Sequence, residues 1–387
     1  MDFRLTEEQE MIRQAARDFA QSELLPGVIE RDETQTFPDS LVKRMGELGF
    51  LGLMVSPEYG GAGMDTLSYV LLMEELSKVD ASASVMVSVQ NSLVNWGIET
   101  YGTEEQKRKY LPLLARGEVI GSFCLSEPEA GSDATQQRTR AVRKGDYYLL
   151  NGTKNWITNA GRAGLYLVIA QTDPQAGSRG ISAFIVEREW EGVVVGKKEN
   201  KLGIRGSDTH TMIFNDVKVP VANRIGEEGF GFKFAMKTLD GGRIGIAAQA
   251  LGIASGAYEL ALRYSLQRQT FGVPIAKHQA IAFKLAQMAT QIDAARLLCF
   301  RAAEAKDHGR PYGLLASMAK LYASRAAMWV TTEAIQIHGG YGYVKEYHVE
   351  RLFRDAKITE IYEGTSEVQR IVISRALSRG EKPLLTA

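Results

Sequence analysis

The chain has 387 residues, too many for one ordinary hydrophobic core, so two or three domains are expected. Its 46 Lys and Arg balance its 46 Asp and Glu, which leaves no net field to hold nucleic acid or an acidic membrane surface, and any anionic ligand needs a local site. The two cysteines, Cys124 and Cys299, form no CxxC pair and have no His at metal-ligand spacing, so neither a disulfide framework nor a metal centre is expected and a reducing, cytoplasmic compartment fits.

The amino terminus, Met1-Asp2-Phe3-Arg4-Leu5, runs into a helical pattern without a basic segment followed by an apolar one, and no apolar run approaches the ~20 residues of a membrane span. Residues 1–120 read as a helical domain. Thr6-Glu7-Glu8-Gln9 is a capping box followed by Ile12, Ala15, Ala16 and Phe19 on one face, and Pro26-Gly27 ends that helix. Further helices are predicted from Asp39 to Leu48, closed by Gly49, from about Leu67 to Val79, and after a second capping box, Thr103 to Gln106. Tyr59 to Gly63 is a loop.

Residues 121–230 change character. Apolar β-rich runs at Tyr147–Leu150, Leu165–Ala170, Ile181–Val186, Val193–Val195 and Thr211–Phe214 are separated by turn clusters and by no helical pattern. An antiparallel β-domain is predicted in place of a doubly wound sheet. From 231 to 387 the helical period returns, with Ile244, Ala247, Ala248 and Leu251 on one face and Ile281, Leu285, Met288 and Ile292 on another. Alanine-rich stretches allow close packing, so a four-helix-bundle-like domain is predicted and the fold class is α+β.

Several segments carry candidate chemistry. Tyr362-Glu363-Gly364-Thr365 places a carboxylate before a helix start, with Ser366 and Gln369 read as the capping box. Unpaired N–H groups there could stabilise a carbonyl oxygen gaining negative charge beside the acid. Taken alone, Glu363 is an ordinary acid favoured by the helix dipole. Phe123-Cys124-Leu125-Ser126 opens a loop running through Gly131, Ser132 and Asp133, which could turn N–H groups and hydroxyls toward a phosphate or a polar ring edge, or could be a plain strand-end turn. Trp156-Ile157-Thr158 offers an aromatic face and a hydroxyl, with a core tryptophan as the default. Arg268 to Gly272 and Gln336 to Gly342 combine a cation, amides and glycines suited to a pyrophosphate, though bare helix connections look alike. His338 reads as a packing residue. The dinucleotide fingerprint, P-loop, nucleophile elbow and zinc motifs are all missing.

Taken together, Phe123–Asp133, Trp156–Asn159, Asp216–Pro220, Arg268–Gly272, Gln336–Gly342 and Tyr362–Thr365 resemble the acyl-CoA dehydrogenase family in order and spacing over nearly the whole chain. The match is closest to short-chain, butyryl-type members. The resemblance implies helical, β and helical domains, a homotetramer, and FAD as cofactor. It implies a flavin ring against Phe123, Leu125 and Ser126, with Trp156, Ile157 and Thr158, and Gly131 and Ser132 where flavin and CoA approach. It further implies that Arg268, Phe271, Gln279, Gln336, Gly339 and Gly340 hold the pyrophosphate and adenosine, partly across a subunit boundary, with Thr365 and Glu367 as further FAD contacts.

Glu363 matches the family's base, taking the α-proton of an acyl-CoA while the β-hydrogen leaves as hydride to the flavin, giving a trans-2-enoyl-CoA and passing electrons to electron-transferring flavoprotein. Tyr362, Gly364, Ser132, Asp240 and Arg243 match substrate contacts. Some branches carry the base on the helix after Leu239; Gly242 stands there in this chain, which points to Glu363 alone and to the short-chain branch. Ser84 stands where glutaryl-specific members place an arginine, which argues against a dicarboxyl substrate. Medium-chain or short branched-chain dehydrogenases, acyl-CoA oxidases and non-catalytic acyl-CoA-binding proteins are the alternatives.

Overall fold

The computed structural model describes residues 4–382; Met1 to Phe3, part of the stretch examined for a leader, lie outside them. Thr6 caps α1 (Glu7–Phe19) by accepting from the Gln9 N–H while the Gln9 side chain accepts from the Thr6 N–H, the predicted capping box. Next come α2 (Val28–Thr34), entered through Gly27 in the left-handed region, and α3 (Asp39–Glu47), closed by left-handed Gly49. Asp65 caps α4 (Thr66–Ser77) and Asp80 caps α5 (Ala81–Ser88). A π-helical stretch, Val89–Asn95, joins α5 to α6 (Trp96–Tyr101), and the second predicted capping box opens α7 (Glu104–Ala115).

The sheet follows: β1 (Gly121–Cys124), β2 (Arg140–Lys144), β3 (Tyr147–Thr158), β4 (Leu165–Gln171), β5 (Ile181–Glu187), β6 (Val193–Lys198), β7 (Thr209–Pro220) and β8 (Arg224–Ile225). Its strand order is β6-β7-β3-β2-β4-β5-β8, with β1 beside β4. Most pairs are antiparallel, as predicted, but β1 and β2 each lie parallel to β4. The continuous apolar runs at β4 and β5 are explained by burial on both faces, one against helices and one against the rest of the sheet.

The carboxy-terminal third begins with α8 (Gly231–Gln267), continues through the short β9 (Gln269–Thr270) and β10 (Val273–Pro274) hairpin, and adds α9 (Gln279–Asp307), α10 (Gly313–His338), α11 (His348–Ile358) and α12 (Ser366–Ser378). Among the described residues α8 alone is long and apolar enough to cross a membrane, and 83% of its most apolar stretch is buried inside the fold. It is a core helix: one hydrophobic cluster runs from α1, α4 and α5 through α8, α9 and α10.

Charged side chains lock these parts together. On α11, Asp355 accepts the Ile204 N–H at 2.5 Å and Arg351 at 3.2 Å, while Arg351 also donates to the Val79 carbonyl. Arg31 on α2 pairs with Asp80 at 2.8 Å. The segment that carries Glu363 therefore leaves a helix fixed to both the first domain and the sheet domain.

Candidate functional site

Glu363 lies in the turn between α11 and α12. Its φ is +53° and that of the following Gly364 is +95°, two successive left-handed residues of which only the glycine is unstrained. The sequence places the cap of α12 one residue too late. Thr365 is the N-cap, accepting from the Val368 N–H, whereas the Ser366 hydroxyl is buried without a partner and Gln369 donates to the Gly364 carbonyl at 2.8 Å. The cap shifts because Gly364 turns the chain before Thr365, so the Thr hydroxyl is the one aimed at the free N–H groups.

The Glu363 carboxylate packs on α8 at Gly242. A Cβ built there would stand 2.1 Å from Oε2 and 2.9 Å from Leu93 Cδ2. Oε2 is buried and has no hydrogen-bond partner, and the Glu363 backbone N–H donates to no acceptor among the described residues. Burial pushes the carboxyl pKa up to about 7, against the pull of Lys320 and Arg243. An ordinary surface acid has none of these properties; the turn offers a poised base and a free donor side by side.

Three positions on one face of α8 define what lies beyond the carboxylate. Gly242 faces Glu363. One turn on, Gly245 gives room to the Tyr69 and Ser88 hydroxyls, which are 3.1 Å apart. At the next turn Gln249 donates to Ser84 Oγ at 3.1 Å and to the Ala81 carbonyl at 3.0 Å, and accepts from the Tyr362 hydroxyl. Tyr362, Gln249 and Ser84 thus form a bridge from the turn that carries Glu363 across α8 to α5. Sequence reasoning missed Gln249, Tyr69 and Ser88, whose polar side chains lie in apolar runs.

On the other side of Gly242, Arg243 is buried and pairs with Asp240 at 2.7 Å, leaving its Nε without a partner. Burial lowers the Arg243 pKa and raises that of Asp240. Two of the residues expected to meet substrate are therefore paired with each other, and one of them, Arg243, acts electrostatically on Glu363.

The β-domain residues form a second group. The Asn155 N–H donates to the Ser126 carbonyl at 2.9 Å, and Ser122 Oγ to the Thr158 carbonyl at 2.8 Å, which brings the Phe123–Ser126 and Trp156–Thr158 segments alongside. A fully buried lysine holds the loop: Lys154 Nζ reaches the Leu125 carbonyl at 3.0 Å, Glu127 at 2.8 Å and Gln137 at 3.0 Å. Glu127 in turn accepts the N–H groups of Arg138 and Thr139. This anchor was not read from the sequence, where Lys154 sits in the polar run Asn151 to Asn155.

Trp156 is not a core residue. A register shift between Lys154 and Ile157 in the pairing of β3 with β7 turns it outward at φ +62°, leaving it 62% exposed. Ile157 points the other way, into the sheet core, so only its backbone is available to a ligand. Gly131 and Ser132 sit exposed on the loop.

The third group lies at the far ends of the bundle helices. Arg268, Gly339 and Gly340 line a groove of about 600 Å³ with Tyr264, His278 and Tyr341. The Arg268 guanidinium stands 5.7 Å over the Tyr341 ring. Gln279 and Gln336 are exposed, at the start of α9 and near the end of α10, and Phe271 projects from the hairpin at 97% exposure. Thr365 caps α12, and Glu367 pairs with Arg370 at its first turn. His338 stacks on Tyr264 at 4.3 Å and donates or accepts at the Ala334 carbonyl, the packing role expected of it. No cluster of metal-ligating side chains occurs among the described residues.

The chain is similar to known proteins along nearly its whole length. The amino-terminal, middle and carboxy-terminal domain models of acyl-CoA dehydrogenases match residues 6–118, 122–217 and 229–378. The chain is 54% identical over 379 residues to a short-chain-specific acyl-CoA dehydrogenase of Clostridium acetobutylicum, covering 98% of this chain and all of that one. The solved butyryl-CoA dehydrogenase of Megasphaera elsdenii superposes with a TM-score of 0.97 at 50% identity, covering 98% of this chain and 100% of its own. A chain from the structural work on the electron transferring flavoprotein of Acidaminococcus fermentans superposes equally well, at 53% identity over 98% and 100%.

Proposed function

Because the chain belongs to the acyl-CoA dehydrogenase family, a family of flavoprotein enzymes, we propose that it converts a short-chain acyl-CoA to the trans-2-enoyl-CoA with Glu363 as the base. The observation that carries this reading is the buried, unpartnered Oε2 beside a free backbone N–H. A proton next to a thioester is only weakly acidic. Removing it requires a carboxylate made more basic by burial and a donor for the enolate oxygen, and Glu363 brings both from one residue. Arg243 and Asp240, next to Gly242 on α8, orient the CoA portion.

The cofactor proposed is FAD, which when bound takes the β-hydrogen as hydride and carries the two electrons onward. The cradle of Phe123, Leu125, Ser126, exposed Trp156 and Thr158, with Gly131 and Ser132 on the adjoining loop, offers an aromatic face, hydroxyls and unfilled space at Gly131. The Arg268 groove, with open space at Gly339 and Gly340, suits a pyrophosphate, and the exposed Phe271, Gln279 and Gln336 each stand next in the chain to a residue that lines it, Thr270, His278 and Ile337. Thr365 and Glu367 complete the set. Gly242 and Arg268 sit on the same helix, about 39 Å apart at 1.5 Å per residue, too far for one FAD to bind both within one chain. The groove of a neighbouring subunit is therefore proposed to complete each cradle, in a homotetramer, and the near-naked Phe271 supports a covered surface.

Electron-transferring flavoprotein is the proposed acceptor, supported by the resemblance to the Acidaminococcus chain. Two free, buried cysteines support the cytoplasm as its place of work.

Short-chain preference follows from the Tyr362–Gln249–Ser84 bridge. Gln249 lies seven residues beyond Gly242, about 10 Å along the α8 axis, and the Tyr69 and Ser88 hydroxyls narrow the space halfway. An acyl chain starting at Glu363 meets hydrogen-bonded side chains after a few carbons. The test is a series of acyl-CoA chain lengths scored as kcat/KM for the wild type and Gln249→Ala. The expected result is a maximum at butyryl that moves to longer chains in the variant; a wild-type maximum at eight carbons or more refutes the short-chain assignment.

A further inference from the structure

We propose that Lys320 is the positioning residue of this site, gripping the turn on both sides of Glu363 and setting a cation within electrostatic reach of its carboxylate. The proposal rests on the reading of Glu363 as the base.

Lys320 lies in the middle of α10 on a stripe formed with Ala316, Ala319, Ala323 and Ala327, and it is only 1% exposed. A buried ammonium is strongly disfavoured unless its protons are satisfied. Here Nζ donates to the Thr359 carbonyl at 3.1 Å and to the Gly364 carbonyl at 2.6 Å. The first belongs to the residue that closes α11, an otherwise unpaired acceptor at the negative end of a helix. The second follows Glu363 directly. One side chain on a rigid helix thus spans the turn, and Gln369 fixes the Gly364 carbonyl a second time. Left-handed backbone at a non-glycine residue is strained and persists only where its surroundings over-determine it.

The titratable groups facing Glu363 come from every element around it: Tyr69 on α4, Arg243 on α8, Lys320 on α10, and Tyr362 on its own turn, with Glu360 acting on Lys320. Only two are cations. Arg243 already has Asp240 at 2.7 Å, whereas Lys320 makes no ion pair with any carboxylate among the described residues, and its charge acts first on Glu363 and less on Glu360. Burial holds Lys320 down to about 8 and lifts Glu363 to about 7, each opposed by the other.

A base acts unprotonated, so kcat/KM rises with pH as Glu363 loses its proton near 7. Removing the cation favours the protonated acid and moves that rise to higher pH. The experiment measures kcat/KM for butyryl-CoA from about pH 5.5 to 9 on FAD-loaded wild type, Lys320→Met and Lys320→Gln, with Glu363→Gln alongside. In both Lys320 variants the acid limb is expected to move up by roughly 1 pH unit, so about tenfold of activity is lost at pH 6 and far less at pH 9, with flavin content unchanged. A limb at the wild-type pH in flavin-loaded variants overturns the proposal, and so does failure of both variants to fold with FAD, which assigns Lys320 to the fold alone. Full activity in Glu363→Gln would instead remove the base on which the proposal rests, and so separates the two failures.

Discussion

Replacing Gly242 by alanine is the smallest change that disturbs the proposed base without touching it. The added methyl carbon would stand 2.1 Å from Glu363 Oε2 and 2.9 Å from Leu93 Cδ2, where ordinary contact begins at 3.4 Å. The carboxylate must therefore retreat by more than about 1 Å, a misplacement that typically costs about 100-fold in rate. Stability should change little, because overpacking by one methyl costs about 1–3 kcal/mol while alanine regains about 1 kcal/mol of helix propensity. The assay is kcat/KM for butyryl-CoA, followed as bleaching of the bound flavin, with flavin content and thermal midpoint as controls. Retention of more than half the wild-type rate would show that the carboxylate does not act from the position described, and would refute the reasoning.

Glu363→Gln keeps the shape of the turn and removes the charge. FAD and acyl-CoA binding should persist while flavin bleaching slows by about 10²–10⁴-fold, the usual share of a positioned base; bleaching at the wild-type rate places the base elsewhere. Lys154→Met strands the Glu127 carboxylate in the β-domain, which is expected to cost about 3–5 kcal/mol. It should lower the thermal midpoint and loosen flavin through the 125–139 loop. An unchanged midpoint would show that the buried pair anchors nothing.

How much of this was legible in the sequence depends on which face of an element carries the signal. Both threonine capping boxes, the Gly49 stop and the β-runs announced themselves because local chemistry decides them. The α5 segment and its π-helical continuation did not, since Ala81 to Asn95 is buried on every side and a helix without a polar face has no stripe to read. The cap of α12 was misplaced by one residue because Thr365 and Ser366 are chemically alike, and only the left-handed Gly364 decides between them.

The site divided along the same line. Glu363 stood out as an acid before a helix and gained its meaning from neighbouring motifs. Its burial, its contact with Gly242 and the lysine that holds the Gly364 carbonyl depend on α8 and α10 crossing the turn, and spacing along the chain does not encode that crossing. Trp156 misled in the opposite direction: its exposure comes from a register shift in β3 that residue spacing does not announce. Lys320 did leave a trace, as a lone charge on an alanine stripe, and such a residue is better read as a buried partner than as a break in the pattern.

The contact between Gly242 and Glu363 also constrains how this chemistry can drift. With the carboxylate resting on the glycine, there is no volume for a second acid on α8 while Glu363 remains. A lineage moving its base from the turn to the helix cannot pass through a form that carries both. It must first lose the acid at 363, passing through an inactive intermediate, or change the two positions together. Two sites more than a hundred residues apart in the chain therefore behave as a single heritable unit.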